Sequence, residues 1–291
     1  MTNNAGTCKI VKFTPCQSID EDLAAFAEDF FEVIGNDYAD DGTEQLVGYM
    51  RQNATEADLI TAAQSVGISL PEYTVETLSS NDWLTENVIK FAPVEVAEFL
   101  VYGIHEQHID THGKIGLKVY AATAFGSEHQ TTKACLQGIS DINQLMPSSP
   151  QKVLDVGTGS GILSLGAAKL WPSAQIIAVD IDDESVIVTK QNAIDNQVDA
   201  QITVALSDGY QSPLVRQNAP YDVILANILA RPLISMAADM SAHLKKGGFA
   251  VISGFIDDQT DWVVGEHQKH GLNLVKLYRQ DNWRAALLEK K

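Results

Sequence analysis

Lys152-Val-Leu-Asp-Val-Gly-Thr-Gly-Ser-Gly-Ile162 reads as a strand that ends in a glycine-rich turn and feeds a helix. Residues 153–156 are a short apolar run of strand type, and Ile162-Leu-Ser-Leu-Gly-Ala-Ala-Lys169 follows with helical spacing. Such a turn exposes backbone N–H groups at the positive end of a helix, where an anionic group of a ligand is stabilised. A second apolar strand, Ile176-Ile-Ala-Val-Asp180, ends in a carboxylate. An acid at that point accepts hydrogen bonds from both hydroxyls of a ribose. The two strands together predict a nucleotide-type cofactor site.

The glycine spacing narrows the cofactor. A dinucleotide turn requires G-x-G-x-x-G, its third glycine five residues after the first. Here the glycines stand at 157, 159 and 161 and position 162 is Ile, which disfavours a dehydrogenase. Asp155-x-Gly-x-Gly-x-Gly followed by Val179-Asp180 resembles the first two motifs of the S-adenosylmethionine-dependent methyltransferases. That resemblance implies S-adenosyl-L-methionine over Gly157, Gly159 and Gly161, with Asp155 near its methionine end and Asp180 on its ribose. The plainer alternative is a glycine turn that only joins a strand to a helix.

The 291 residues leave room for about two domains. No apolar run reaches membrane-spanning length, and Met1-Thr-Asn-Asn-Ala-Gly6 lacks the basic segment and apolar core of a signal peptide. A cytoplasmic protein without a membrane partner is therefore expected. Cys8, Cys16 and Cys135 are odd in number and widely spaced, which indicates neither a disulfide framework nor a zinc site. The net charge of −18 disfavours direct nucleic-acid binding, which calls for a basic face. It suits a cationic polypeptide partner, or it is simply a solubility surface.

Ahead of the glycine turn, residues 9–13 alternate as a half-buried strand. Leu23, Phe26, Ala27, Phe30, Phe31 and Ile34 recur at helical spacing, and the helix closes near Gly35-Asn36. An Asp-Gly hairpin signal leads to a strand over 45–50, Thr55 caps a second helix ending at Gly67, and residues 72–78 alternate again. Strand, helix, strand, strand, helix, strand is the order of a small ferredoxin-like α+β domain, assigned to residues 1–80. Residues 81–120 read as a linker with two extended stretches, 95–102 and 115–120. His105, His108 and His112 lie between them on an expected hairpin loop rather than a metal site, so no metal is assigned.

Residues 121–291 form the third segment. A polar loop, Ala124-Phe-Gly-Ser-Glu-His-Gln-Thr-Thr-Lys133, enters a helix whose start offers hydroxyls and N–H groups. After Asp180, strands are expected over 201–206, 221–226, 249–253, 272–278 and 283–288, with Asp208 in a loop near an adenine and Asn227 ending the fourth strand. The fold class is α/β, a Rossmann-like seven-stranded sheet covered on both faces, with the ligand across the carboxyl ends of its strands.

Phe91-Ala-Pro, the loop ending at Thr132, Leu154-Asp-Val-Gly-Thr-Gly-Ser-Gly-Ile-Leu163, Val179-Asp-Ile-Asp182, Ala226-Asn-Ile-Leu-Ala230, Ser253-Gly254 and Trp283 occur in order. Together they resemble the methyltransferases of large-subunit ribosomal protein L11, over about residues 91–288. The resemblance implies that Thr132, Gly157, Asp180 and Asn227 contact S-adenosyl-L-methionine and that residues 125–132 close over cofactor and substrate. It implies that the amino-terminal domain recognises the ribosomal protein while lysines, and in the bacterial family the α-amino group, are methylated. The loop departs from the family pattern Phe-Gly-Thr-Gly-Thr-His-Pro-Thr-Thr. It is one residue shorter, with Glu128 among its small positions and Gln130 in place of proline.

Methyl transfer to an amine needs a neutral nitrogen held in line with the sulfonium, and no strong base. Asn227 is placed to orient that amine, and His129 is a second candidate for proton removal. Two other readings remain at this stage: a methyltransferase with a different protein or small-molecule acceptor, and a ribosome-associated protein that binds the cofactor without catalysis.

Overall fold

The computed structural model describes residues 7–14, 23, 26–27, 30–31, 33–38, 44–50, 54–79, 91–106, 109–120 and 130–291. The chain divides into two compact units, Met1–Asn87 and Val88–Lys291.

The first unit is built on β1 (Thr7–Phe13), β2 (Val33–Tyr38), β3 (Glu44–Tyr49) and β4 (Tyr73–Ser79) in the order β2-β3-β1-β4. All neighbours are antiparallel. Leu23, Phe26, Ala27 and Phe30 are helical, and α1 (Glu56–Ser65) begins in a capping box. Asp58 N–H donates to Thr55 Oγ1 at 3.3 Å, and Thr55 N–H donates to Asp58 Oδ2 at 2.8 Å, which satisfies two otherwise open donors. Leu59 and Ala63 of α1 join Val11, Phe13, Phe26, Phe31 and Leu46 in one core. The first helix was expected to run to Ile34, but Val33–Tyr38 is a strand paired residue by residue with β3. Pairing with the neighbouring strand outweighs the helical spacing.

The second unit opens with a small sheet, β5 (Val94–Val96), β6 (Phe99–Gly103) and β7 (Ile115–Val119). The expected single stretch over 95–102 is a hairpin that turns at Ala97, φ +47°. The hairpin expected between the two extended stretches is corrected as well, since β6 and β7 are parallel, Phe99 facing Ile115 and Gly103 facing Val119. Ile115 therefore opens β7 at the same end of the sheet as Phe99 opens β6. Turn-forming residues mark that the chain changes direction and do not say whether it returns alongside or crosses over.

The main sheet contains β8 (Lys152–Val156), β9 (Gln175–Asp180), β10 (Ile202–Leu206), β11 (Tyr221–Asn227), β12 (Leu244–Ile256), β13 (Leu272–Gln280) and β14 (Trp283–Lys290). Their order is β10-β9-β8-β11-β12-β14-β13, with β14 antiparallel to both neighbours and the first five strands parallel. This is the expected α/β class. The order reverses between β8 and β11, and a crevice opens at such a switch point beyond the carboxyl ends. The helices are α2 (Gln130–Leu145), α3 (Ile162–Leu170), α4 (Asp183–Asp195), α5 (Pro213–Asn218), α6 (Ala230–Ser235), α7 (Ala237–His243) and α8 (Thr260–Lys269).

Strand alternation sends Val153, Val223, Leu225 and Val251 into one core with α2 and α3. Leu154, Val156, Ile224 and Ile252 enter the other, with Leu233, Met240 and Val263. Among the described residues no helix is long and apolar enough to cross a membrane.

Candidate cofactor cleft at the carboxyl ends of the sheet

The glycine turn after β8 is pinned over β9, where Gly157 N–H and Thr158 N–H both donate to the Val179 carbonyl, at 2.8 and 3.0 Å. Gly157, Gly159 and Gly161 have φ of +70°, +56° and +79°, in the left-handed region where a side chain is strained. A Cβ at Gly157 would stand 2.2 Å from Ile228 Cγ2, and one at Gly161 would stand 2.8 Å from Thr189 Cγ2. A Cβ at Gly159 would meet nothing within 4 Å and would project into the open space of the crevice. The turn is thus packed against the protein at two glycines and open at the third.

A cavity of about 520 Å³ lies beyond the turn, within the size range of small-molecule sites. Thr132, Gly157, Gly159, Asp180, Asp208 and Asn227, all expected at the site, line it. Asp155 and Gly161 do not, and His129 falls outside the described residues. Asp182, Ser207, Ile181, Ile228, Leu229 and Met236 also line it. Asp182 had a local signal, being the N-cap of α4 that accepts from Ser185 N–H at 2.9 Å. The apolar walls had none, because Ile181 and Met236 come together only through the fold.

Asp180 ends β9 with its carboxylate held by two backbone donors. Gly159 N–H donates to Oδ2 at 2.9 Å and Asp182 N–H donates to Oδ1 at 3.1 Å. Each oxygen keeps an acceptor position, so the group is oriented and still able to receive two hydroxyls.

Asp155 sits behind the turn, 1% exposed. Its Oδ2 accepts from Thr158 Oγ1 at 2.8 Å and from Ser164 Oγ at 2.7 Å, while Oδ1 is buried without a partner. Burial pushes this carboxyl up to about 6, the Ser164 and Thr158 hydroxyls opposing and the nearby Asp180 charge adding. Its visible role is to tie the turn to the first turn of α3.

At the far end of the cavity, Asn227 closes β11 with Nδ2 3.5 Å from Thr132 Oγ1 at the start of α2. Gln130 Nε2 donates to Asp281 Oδ2 at 3.1 Å and anchors that helix start to the turn between β13 and β14. Ile228 N–H donates to the Ser253 carbonyl at 3.0 Å, which holds the chain beyond Asn227 against β12.

The donor set is selective. Asp180, Asp182 and Asp208 supply carboxylates, and no described lining residue is Lys or Arg. A polyphosphate would meet three carboxylates and no cationic side chain among the described lining residues, whereas a ribose-bearing ligand with cationic groups would be stabilised. The acid at the β9 tip, the side-chain-free face of Gly159 and the walls of Ile181 and Met236 fit the ribose and base of a cationic adenosyl compound. Among the described residues no group of His, Cys, Asp and Glu is arranged to hold a metal ion.

Comparison with known proteins agrees with this chemistry. The ribosomal protein L11 methyltransferase (PrmA) family matches residues 6–291. The chain is 37% identical over 218 residues to a ribosomal protein L11 methyltransferase of Brucella suis, covering 75% of each chain. It is 34% identical over 218 residues to the protein of that description in Rhodopseudomonas palustris, covering 75% of this chain and 73% of the relative. A crystal structure of ribosomal protein L11 methylase from Lactobacillus delbrueckii subsp. bulgaricus superposes with a TM-score of 0.59 at 26% identity, covering 69% of this chain and 100% of that one. The chain is a methyltransferase and belongs to the ribosomal protein L11 methyltransferase family.

Proposed function

We propose that the protein transfers methyl groups from S-adenosyl-L-methionine to lysine amines, and to the α-amine, of a large-subunit ribosomal protein of the L11 type. The observation that carries this reading is the acid-lined cavity at the switch point, without Lys or Arg among its described lining residues, with Asp180 at one end and Asn227 with Thr132 at the other. When bound, the cofactor supplies an electrophilic methyl on a sulfonium. Asp180 would hold the ribose hydroxyls, Gly157 and Gly159 would lie under the amino-acid portion, and Asp208 would border the adenine.

The acceptor must arrive uncharged. A free lysine has a pKa of about 10.4, and desolvation at the Asn227 end, beside Ile228, Leu229 and Pro232 and next to the positive charge of a bound sulfonium, would favour its neutral form. With Asn227 Nδ2 turned toward Thr132, its Oδ1 remains as an acceptor for an N–H of that amine, which directs the nitrogen lone pair along the cavity. His129 is the candidate to take the proton. A net charge of −18 suits a basic protein substrate, and the proposed location is the cytoplasm, where ribosomal proteins are made. Direct nucleic-acid contact has no part in this reading.

A different acceptor protein is the second reading. It rests on Gln130, which stands where the family pattern has proline and is bonded to Asp281. Methyl-labelled S-adenosyl-L-methionine, incubated with the enzyme and a mixture of ribosomal proteins and then analysed by mass spectrometry, separates the two. Label on L11 amines supports the first, label on another protein supports the second, and absence of transfer to any protein refutes both.

A further inference from the structure

Thr189 and Asn192 of α4, and Asn196 at its C-cap, reach other segments of the chain. Thr189 Oγ1 donates to the Gly159 carbonyl at 2.9 Å. Asn192 Nδ2 donates to the Ser160 carbonyl at 2.7 Å and to the Tyr120 carbonyl at 3.1 Å, and Tyr120 N–H donates to Asn192 Oδ1 at 2.8 Å. One turn on, Asn196 holds Lys118 in the same two-way manner, accepting from its N–H at 3.0 Å and donating to its carbonyl at 2.6 Å. Thr189 and Asn192 are 0% exposed, and every hydrogen-bonding group of the Asn192 amide is used.

Burying an amide costs free energy unless it is fully bonded, and apolar side chains would attach a helix without that requirement. The polar choice therefore fixes something that packing alone does not. Two consecutive carbonyls of the glycine turn are drawn toward α4. In a trans peptide the N–H lies opposite the carbonyl, so holding the Gly159 carbonyl turns the Ser160 N–H away from α4. Ser160 and Gly159 both line the cavity. Asn192 also grips both backbone groups of Tyr120, as a neighbouring strand would, at the end of β7. Residues 121–129, which lead to Thr132, begin there.

We infer that Thr189 and Asn192 are positioning residues for the transfer reaction. Thr189 sets the peptide orientation of the glycine turn toward the cofactor. Asn192 sets the next peptide and joins it to Tyr120, so that the cofactor turn and the end of β7 share one fixed reference. The inference rests on the proposed cofactor reading.

Three variants test it. Thr189→Val keeps the branched shape and removes the donor to Gly159. Asn192→Asp keeps the shape and points a carboxylate at two carbonyls. Asn196→Ala removes the buried bonds to Lys118 and the helix-end bond to the Asn192 carbonyl without touching the glycine turn, and serves as the stability control. Thermal melting, calorimetric binding of S-adenosyl-L-methionine and steady-state methyl transfer are measured for each. Thr189→Val is expected to raise the cofactor Kd about fivefold to tenfold with kcat at saturating cofactor little changed, as for the loss of one bond that orients a binding group. Asn192→Asp is expected to raise the cofactor Kd by at least as much as Thr189→Val. Asn196→Ala is expected to lower the melting temperature and leave Kd at the wild-type value. A wild-type Kd in Thr189→Val, or an Asn196→Ala variant that weakens the cofactor as much as Asn192→Asp, overturns the inference. Wild-type enzyme that binds no cofactor would instead overturn the proposed function, and the inference with it.

Discussion

Ile228 is enclosed by two glycines, and they are expected to respond differently to the same substitution. At Gly157 a Cβ would stand 2.2 Å from Ile228 Cγ2, a side-chain atom, with φ at +70°. At Gly254 a Cβ would stand 2.0 Å from the Ile228 carbonyl oxygen and 2.6 Å from its carbon, with φ at +100°. For Gly157→Ala, the left-handed backbone costs about 1–2 kcal/mol. Overpacking adds about 1–3 kcal/mol. The stiffer unfolded chain returns about 0.4–1 kcal/mol. The net destabilisation is roughly 1.5–4 kcal/mol, the backbone part of which persists whatever the neighbour becomes. Combining it with Ile228→Ala removes the atom in the way. The double variant should therefore be less destabilised than the sum of the singles by about 1–3 kcal/mol. Gly254→Ala presses on backbone, which no truncation of Ile228 moves. It should cost more than about 3 kcal/mol, and its effect should add to that of Ile228→Ala. Urea denaturation of the wild type, the three single variants and the two doubles gives both coupling energies. Additive behaviour of Gly157 with Ile228, or near-wild-type stability of Gly254→Ala, would refute the packing described around the cleft.

Two titratable groups give further expectations. The Asp155 carboxyl has a folded value of about 6 against an ordinary 3.8. Its stabilising contribution is thus complete below the lower value and lost as pH rises through the upper one. About two pH units correspond to roughly 3 kcal/mol as an upper figure. Relative to Asp155→Asn, the wild type should lose about 1–3 kcal/mol of unfolding free energy between about pH 4 and pH 8; a difference that does not change with pH argues against the burial assigned to this group. Asp222 behaves oppositely. Burial disfavours its charge, but Lys245 and the N–H groups of Gln151 and Lys152 outweigh that and hold its carboxyl below the ordinary range. Asp222→Asn should cost about 1–3 kcal/mol near neutrality. The wild-type advantage should fade as pH falls below about 4, and chemical denaturation at several pH values checks both statements.

The parts of the cleft that were legible are those whose chemistry demands a residue type at a fixed spacing. A turn in the left-handed region demands glycines, and a ribose demands an acid at the end of the second strand. Asp155 was harder to place because its motif position suggests ligand contact while strand alternation points it elsewhere. Val156 lines the cavity, and Asp155, one residue earlier, faces Thr158 and Ser164 behind the turn. Ile181, Leu229 and Met236 carry no local pattern, since they converge from the ends of β9 and β11 and from the junction of α6 and α7. The parallel pairing of β6 with β7 was hidden for a related reason, because pairing direction is set by where Phe99, Val101, Leu117 and Val119 find a common core. Val33–Tyr38 became a strand through its partner rather than through its own spacing.

The central claim is that S-adenosyl-L-methionine sits in the cleft with its ribose on Asp180. Calorimetric titration of the cofactor into wild-type protein and Asp180→Ala tests it most directly, with thermal melting to show that both are folded. Loss of two charge-assisted hydrogen bonds predicts a Kd raised by about 100-fold or more. An unchanged Kd in a folded Asp180→Ala variant would contradict the assignment.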